Sequence, residues 1–127
     1  MDEKLALKFD DKGLITAVVV DDATGEVLMV AWMNDEAVKQ TLATRKATFY
    51  SRSRRKMWVK GEESGHVQEV KGVRVDCDQD TLVVRVTQTG GACHEGYRSC
   101  FFREITPAGG LRVITEKLFD PKAVYKK

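Results

Sequence analysis

The sequence predicts a strand-rich α+β domain, and three observations carry that prediction. Short runs rich in β-branched and aromatic residues recur along the chain, bounded by Gly, Asp and Pro clusters. A single segment combines a helix start signal with apolar residues one turn apart. The strands are not separated by regular helices, which excludes a doubly wound parallel sheet.

Taken in order, Leu14 to Val20 is a β-branched strand, Asp21 to Gly25 a turn, and Val27 to Met33 the returning strand of a hairpin. Asn34 is placed to cap a helix whose first turn carries Asp35 and Glu36, where acids suit the dipole. Val38 and Leu42 would turn that helix toward the core. Thr48 to Ser53 and Met57 to Val59 read as strands, and Gly61 to Gly65 as a loop. Val67 to Val75 alternates in part, and Leu82 to Thr87 is a strand broken by Gly90-Gly91. Cys100 to Ile105 and Leu111 to Thr115 are strands around a Pro107 to Gly110 turn, and Asp120-Pro121 starts a short terminal helix.

The 127 residues fit one domain, 1–127, with one core, and show no linker, repeat or low-complexity tract. Apolar residues at 43% suffice for a packed interior, and charged residues at 31% speak against a membrane protein. No apolar run approaches the roughly 20 residues of a membrane span. Met1-Asp2-Glu3-Lys4 is charged, with no apolar signal core behind it, so the expected location is the cytoplasm. Three cysteines, an odd number, agree with that compartment.

The net charge is only +2, yet Arg45, Lys46, Arg52, Arg54, Arg55, Lys56 and Lys60 crowd one segment with Tyr50 and Trp58. Two readings stand: a solvated face, or a site for phosphate or nucleic acid. Asp76, Asp78 and Asp80 would line one face of an extended segment, with Cys77 on the other. Such a row calls for a hard cation such as Mg²⁺; the competing reading is a polar turn. An EF-hand is excluded, because Thr81 and Thr87 stand where that loop needs Gly and Glu.

Cys93 and Cys100 on one straight helix would sit about 10.5 Å apart along its axis. Two thiolates on one zinc need sulfurs within roughly 4 Å, so the segment must bend back, and Gly96 permits the bend. Cys77, Cys93 and Cys100 would leave a fourth tetrahedral position to water or to His94; water is favoured, with His94 as a nearby proton-transfer group. Buried small apolar side chains are the plain alternative for the cysteines. A three-cysteine zinc with open water is the device of nucleobase deaminases, whose H-x-E and P-C-x-x-C signatures are absent here.

Five blocks then match one family in order: Ser51-Arg52-Ser53-Arg54, Trp58 through Gln68, Asp76-Cys77-Asp78-Gln79-Asp80, Cys93-His94-Glu95-Gly96 and Ser99-Cys100-Phe101. The chain resembles the phosphoribosyl-AMP cyclohydrolases of histidine biosynthesis, in their stand-alone form without a fused pyrophosphohydrolase domain. Gly13-Leu14-Ile15 and Val27 to Asn34 are similar to the family's N-terminal half. The resemblance spans roughly residues 8 to 105, and Leu118 to Tyr125 fits more loosely. The glycine common in the family is missing from Thr44-Arg45-Lys46, which bears on a turn.

The resemblance implies a small mixed-sheet pseudobarrel with few helices, in an intertwined homodimer. It implies hydrolytic opening of the adenine ring of phosphoribosyl-AMP at the N1–C6 bond by zinc-activated water. It assigns one zinc per subunit to Cys77, Cys93 and Cys100, shared across the dimer, Mg²⁺ to Asp76, Asp78 and Asp80, and proton transfer to His94. Ser51, Arg52, Ser53, Lys60, Ser64 and Gln68 match its substrate-binding blocks, with Gly61 and Gly65 allowing close backbone approach. No membrane and no nucleic-acid partner are expected. The rival is a non-catalytic zinc module that binds nucleic acid through Arg52 to Lys60 with stacking from Trp58. The near-neutral net charge and the missing fourth ligand weigh against it.

Overall fold

The computed structural model describes residues 3–124; residues 1–2 and 125–127, Tyr125 among them, lie outside the described residues. In chain order the elements are β1 (Ile15–Asp21), β2 (Val27–Met33), α1 (Asp35–Thr44), β3 (Thr48–Ser51), β4 (Lys56–Val59), β5 (Gln68–Val75), β6 (Thr81–Gln88), β7 (Arg103–Ile105), β8 (Leu111–Val113) and α2 (Pro121–Val124). Four strands form one sheet in the order β2-β1-β6-β5. Its β1–β6 pair is parallel and its outer pairs are antiparallel, so the sheet is mixed. Two hairpins, β3–β4 and β7–β8, complete a strand-rich α+β architecture.

Period-two burial fixes the sheet. Ile15, Ala17 and Val19 of β1 and Leu82, Val84 and Val86 of β6 are buried, while the residues between them are less so. A one-residue slip would put all six on the wrong face. Phe49, Leu28 and Met33 fill the interior beside them. Each such side chain contributes about 1.5–3 kcal/mol by leaving water.

Asn34 caps α1 as expected, its side chain accepting from Ala37 N at 2.8 Å. The buried face differs from the expectation. Val38 is buried, but Leu42 is 48% exposed and Thr41 takes the inward place beside Ala37. Thr41 is tolerated there because its Oγ1 accepts from Thr48 N (3.0 Å) and donates to Thr48 O (3.2 Å). The helix ends where Arg45 takes a left-handed φ of 62° and returns its N–H to Thr41 O. Arginine thus fills the position that glycine favours.

Two further expectations change. Only Arg103–Ile105 of the segment expected from Cys100 onward is strand; Cys100 to Phe102 is irregular. Residues 76–80 are not extended, but form the turn between β5 and β6, with Gln79 at φ 61°. Asp120 and Pro121 do begin a short helix, Asp120 Oδ1 accepting from Lys122 N at 2.9 Å.

Candidate active site

Strand β6 organises the chemistry by separating it. The aspartate turn precedes Thr81 and the cysteine loop follows Gln88. Eight residues of strand rise about 23 Å from first to last. Within one chain, the aspartates and Cys77 therefore stand at the opposite end from Cys93 and Cys100.

The cysteine loop folds back on itself. Ala92 N bonds Arg98 O at 2.8 Å, Cys93 N bonds Tyr97 O at 3.1 Å, and Gly96 N returns to Cys93 O at 3.1 Å. The bend expected at Gly96 is present, with φ 103°. Three ties hold the loop to the β1–β2 hairpin. Cys100 N bonds Leu28 O at 2.7 Å, and Ser99 Oγ bonds Val27 O at 2.7 Å. The Arg98 guanidinium reaches Asp21 at 2.9 Å and Glu26 at 3.0 Å. Asp21 is held below its usual 3.8 by the Thr24 hydroxyl, the Thr24 N–H and the Arg98 charge.

This fold-back brings the Cys93 and Cys100 thiols close enough for each to act on the other's ionisation. Cys93 is buried, and Cys100, although exposed as a residue, turns its thiol toward it. Burial, then the neighbouring Cys93, pushes the Cys100 thiol up to about 11. Lys60 opposes that rise and lies buried beside the pair, its Nζ donating to Ala92 O at 2.7 Å. Cys77 is exposed in the aspartate turn, and no group of three or more metal-ligating side chains contains a cysteine among the described residues.

Asp76, Asp78 and Asp80 do converge, their ligand oxygens within 4.8 Å of one another. They meet because the chain turns and not because a strand alternates. Asp76 Oδ1 accepts from Asp80 N (3.0 Å) and Thr81 N (3.2 Å). Desolvation works to raise Asp76, but those bonds outweigh it and its pKa is lowered. Asp80 is raised, first by its hydrogen bond to Asp76 and then by Asp78. Three crowded carboxylates that redistribute protons in this way fit a hard divalent cation, as the thiol pair fits a soft one.

Two adjoining concavities of about 400 and 540 Å³ share Met29, Ser51 and Trp58. The first brings together Ser51, Lys60, Gly61, Ser64, His94 and Cys100. Arg52 and Ser53 line the second, the Arg52 guanidinium lying 3.5 Å over the Trp32 ring. Gly61 is required at the rim: at φ 88°, a Cβ there would meet Val67 N at 2.5 Å. Gly65 shapes the same turn, its N–H bonded to Gly61 O at 2.8 Å, without lining either cleft. Gln68 lines neither; it is fully buried, donating to Gln88 Oε1 at 2.8 Å. Arg54 and Lys56 line the first cleft instead. Lys56, Trp58 and Lys60 recur with the period of a strand, a signal that could have separated Lys56 from the solvated charges around it.

These features define a class: small α+β proteins with a cationic cleft bordered by a cysteine-bearing loop. A phosphoribosyl-AMP cyclohydrolase family model matches residues 29–102. The phosphoribosyl-AMP cyclohydrolase of Pelotomaculum thermopropionicum is 54% identical over 96% of this chain and 95% of its own length. Those of Chlorobium phaeovibrioides and Chlorobaculum parvum are each 52% identical over 95% of this chain and 88% of their own. The chain belongs to the phosphoribosyl-AMP cyclohydrolase family. Among the described residues, no helix is long and apolar enough to cross a membrane.

Proposed function

We propose that this chain opens the adenine ring of phosphoribosyl-AMP by adding water at C6 and breaking the N1–C6 bond, a step of histidine biosynthesis in the cytoplasm. The observation that carries the proposal is the first cleft, which sets Cys100 and His94 beside Ser51, Arg54 and Lys56. Cys93 and Cys100 would hold one zinc per subunit, with Cys77 of the partner subunit as the third thiolate. Bound there, zinc would supply Lewis-acid activation of water near neutral pH. Ser51, Arg52, Ser53 and Ser64 are cast as hydroxyl and guanidinium partners of the two substrate phosphates. Trp58 offers a face for the purine. His94 carries a proton from the attacking water toward N1 as the C–N bond breaks. Asp76, Asp78 and Asp80 would hold Mg²⁺.

The separation along β6 supports sharing across an intertwined homodimer, since Cys77 lies at the other end of that strand from Cys93 and Cys100. The β7–β8 hairpin supports association. A lone two-stranded hairpin is marginal in water, and this one exposes Phe101, Leu111, Val113 and Ile114, with Ile105 at 75%. A second copy would cover them, and would also complete the pseudobarrel that the family resemblance implies.

The deciding assay mixes Cys77→Ala with Cys93→Ala subunits under exchange conditions. Each parent is expected to be inactive on phosphoribosyl-AMP, followed by the absorbance change of ring opening. The mixed dimer regains activity because one of its two sites keeps all three cysteines. No recovery in verified mixed dimers would reject the shared site, and no turnover by the zinc-loaded wild type would reject the reaction. The nucleic-acid reading predicts salt-dependent oligonucleotide binding.

A further inference from the structure

Lys60 is the most buried cation among the described residues. It is 8% exposed, and none of the ion pairs among the described residues includes it. A buried charge without a counter-ion costs several kcal/mol. Its hydrogen bond to Ala92 O satisfies one of three donors and leaves the charge itself unopposed. Its side chain lines the first cleft together with Ala92 and Cys100. Arg52 and Arg54, by contrast, are exposed and reach the clefts from the β3–β4 turn. They are free to meet a phosphate without leaving another group unpaired.

We propose that Lys60 is a positioning residue that supplies the counter-charge of the thiolate metal site, and is not an anchor for a substrate phosphate. The inference rests on the reading of Cys93 and Cys100 as zinc ligands. Three thiolates around one Zn²⁺ leave a net charge of minus one, and one buried ammonium cancels it. The bond to Ala92 holds that ammonium one residue from Cys93. The loop and the cation therefore form a single unit, with the cost of the buried charge offset when the metal enters.

The experiment compares wild type, Lys60→Met and Lys60→Arg in two measurements: zinc affinity by chelator competition, and separate kcat and KM for phosphoribosyl-AMP. Lys60→Met is expected to bind zinc roughly 10- to 100-fold more weakly, the range for loss of a group just outside a metal's ligands. At saturating zinc its KM should stay within about twofold of wild type, because little ground-state binding is lost. Lys60→Arg should recover much of the zinc affinity. In the metal-free state, Lys60→Met should unfold at or above the wild-type temperature, since a buried unpaired charge has gone. A raised KM with unchanged zinc affinity would return Lys60 to the substrate phosphates and overturn the proposal, as would failure of Lys60→Met to fold. If wild type binds no zinc that Cys93→Ala loses, the ligand reading itself fails. If wild type binds zinc and Lys60→Met binds it equally well, only the role of Lys60 fails.

Discussion

The two ends of β6 hold their donors by different means. At the cysteine end, backbone bonds, Ser99 and Arg98 fasten the loop to the β1–β2 hairpin, and Cys93 is buried. At the aspartate end, all three carboxylates are exposed, and the turn is held by its own bonds to Asp76 and by contacts of the N-terminal segment. The cysteine loop is thus fixed by the fold, while the aspartate turn stays exposed.

The sharpest way to break this contrast is to remove a soft donor. Cys93→Ala or Cys100→Ala is expected to bring turnover to background and to release zinc, measured by ring-opening absorbance and metal analysis. Near-normal activity in either would sink the assignment. A smaller effect is expected at the exposed end. Asp78→Asn should raise the Mg²⁺ concentration for half-maximal activity roughly tenfold, about 1.4 kcal/mol. An unchanged Mg²⁺ response would make the triplet a structural turn.

Next comes the tether. Arg98→Ala leaves Asp21 without its guanidinium and should cost about 1–2 kcal/mol in thermal or denaturant unfolding. Zinc should also leave faster, because the loop has lost a fastening. The depressed Asp21 pKa gives this stability a pH dependence. Its contribution is complete above the unfolded carboxyl value and fades as pH falls through the lower folded value. Asp21→Asn should therefore be less stable than wild type at pH 7, and the gap should narrow as pH falls below the usual carboxyl value of 3.8. A gap that persists in acid would assign it to packing.

The smallest effect is expected at Gln79. Its left-handed φ favours glycine, but its side chain accepts from Ala6 N at 2.8 Å. Gln79→Gly relieves one cost and loses one bond, so stability should move by no more than about 0.5 kcal/mol. A larger fall would show that the N-terminal segment carries more of the turn than its exposure implies.

Much of the fold was legible because local signals and burial agreed. The β1 and β2 strands and the Asn34 cap needed only periodicity and a polar side chain in the right place. Leu42 misled because apolar spacing ignores what a polar residue can satisfy; Thr41 turns inward once Thr48 supplies both a donor and an acceptor. The aspartates were legible as a cluster and a polar turn was one of two readings, but nothing local marked Gln79 for the left-handed φ that decides for the turn. Arg54 and Lys56 merged with the surrounding charges until the β3–β4 hairpin placed them in the cleft. The closeness of Cys93 and Cys100 needed Gly96 and the bonds to Leu28, of which the sequence showed only the glycine.

The described stretches nearest the two termini have one more consequence. Ala6 and Lys8 donate their backbone N–H groups to Gln79, in the aspartate turn. Leu118 and Phe119 donate theirs to Gly96, in the cysteine loop. Each end of the chain is therefore wired to a different half-site. A dye placed near residue 5 would report on the carboxylate turn, and one near residue 120 on the thiol loop. The two regions could then be followed in one molecule, by colour, without altering a cysteine or an aspartate.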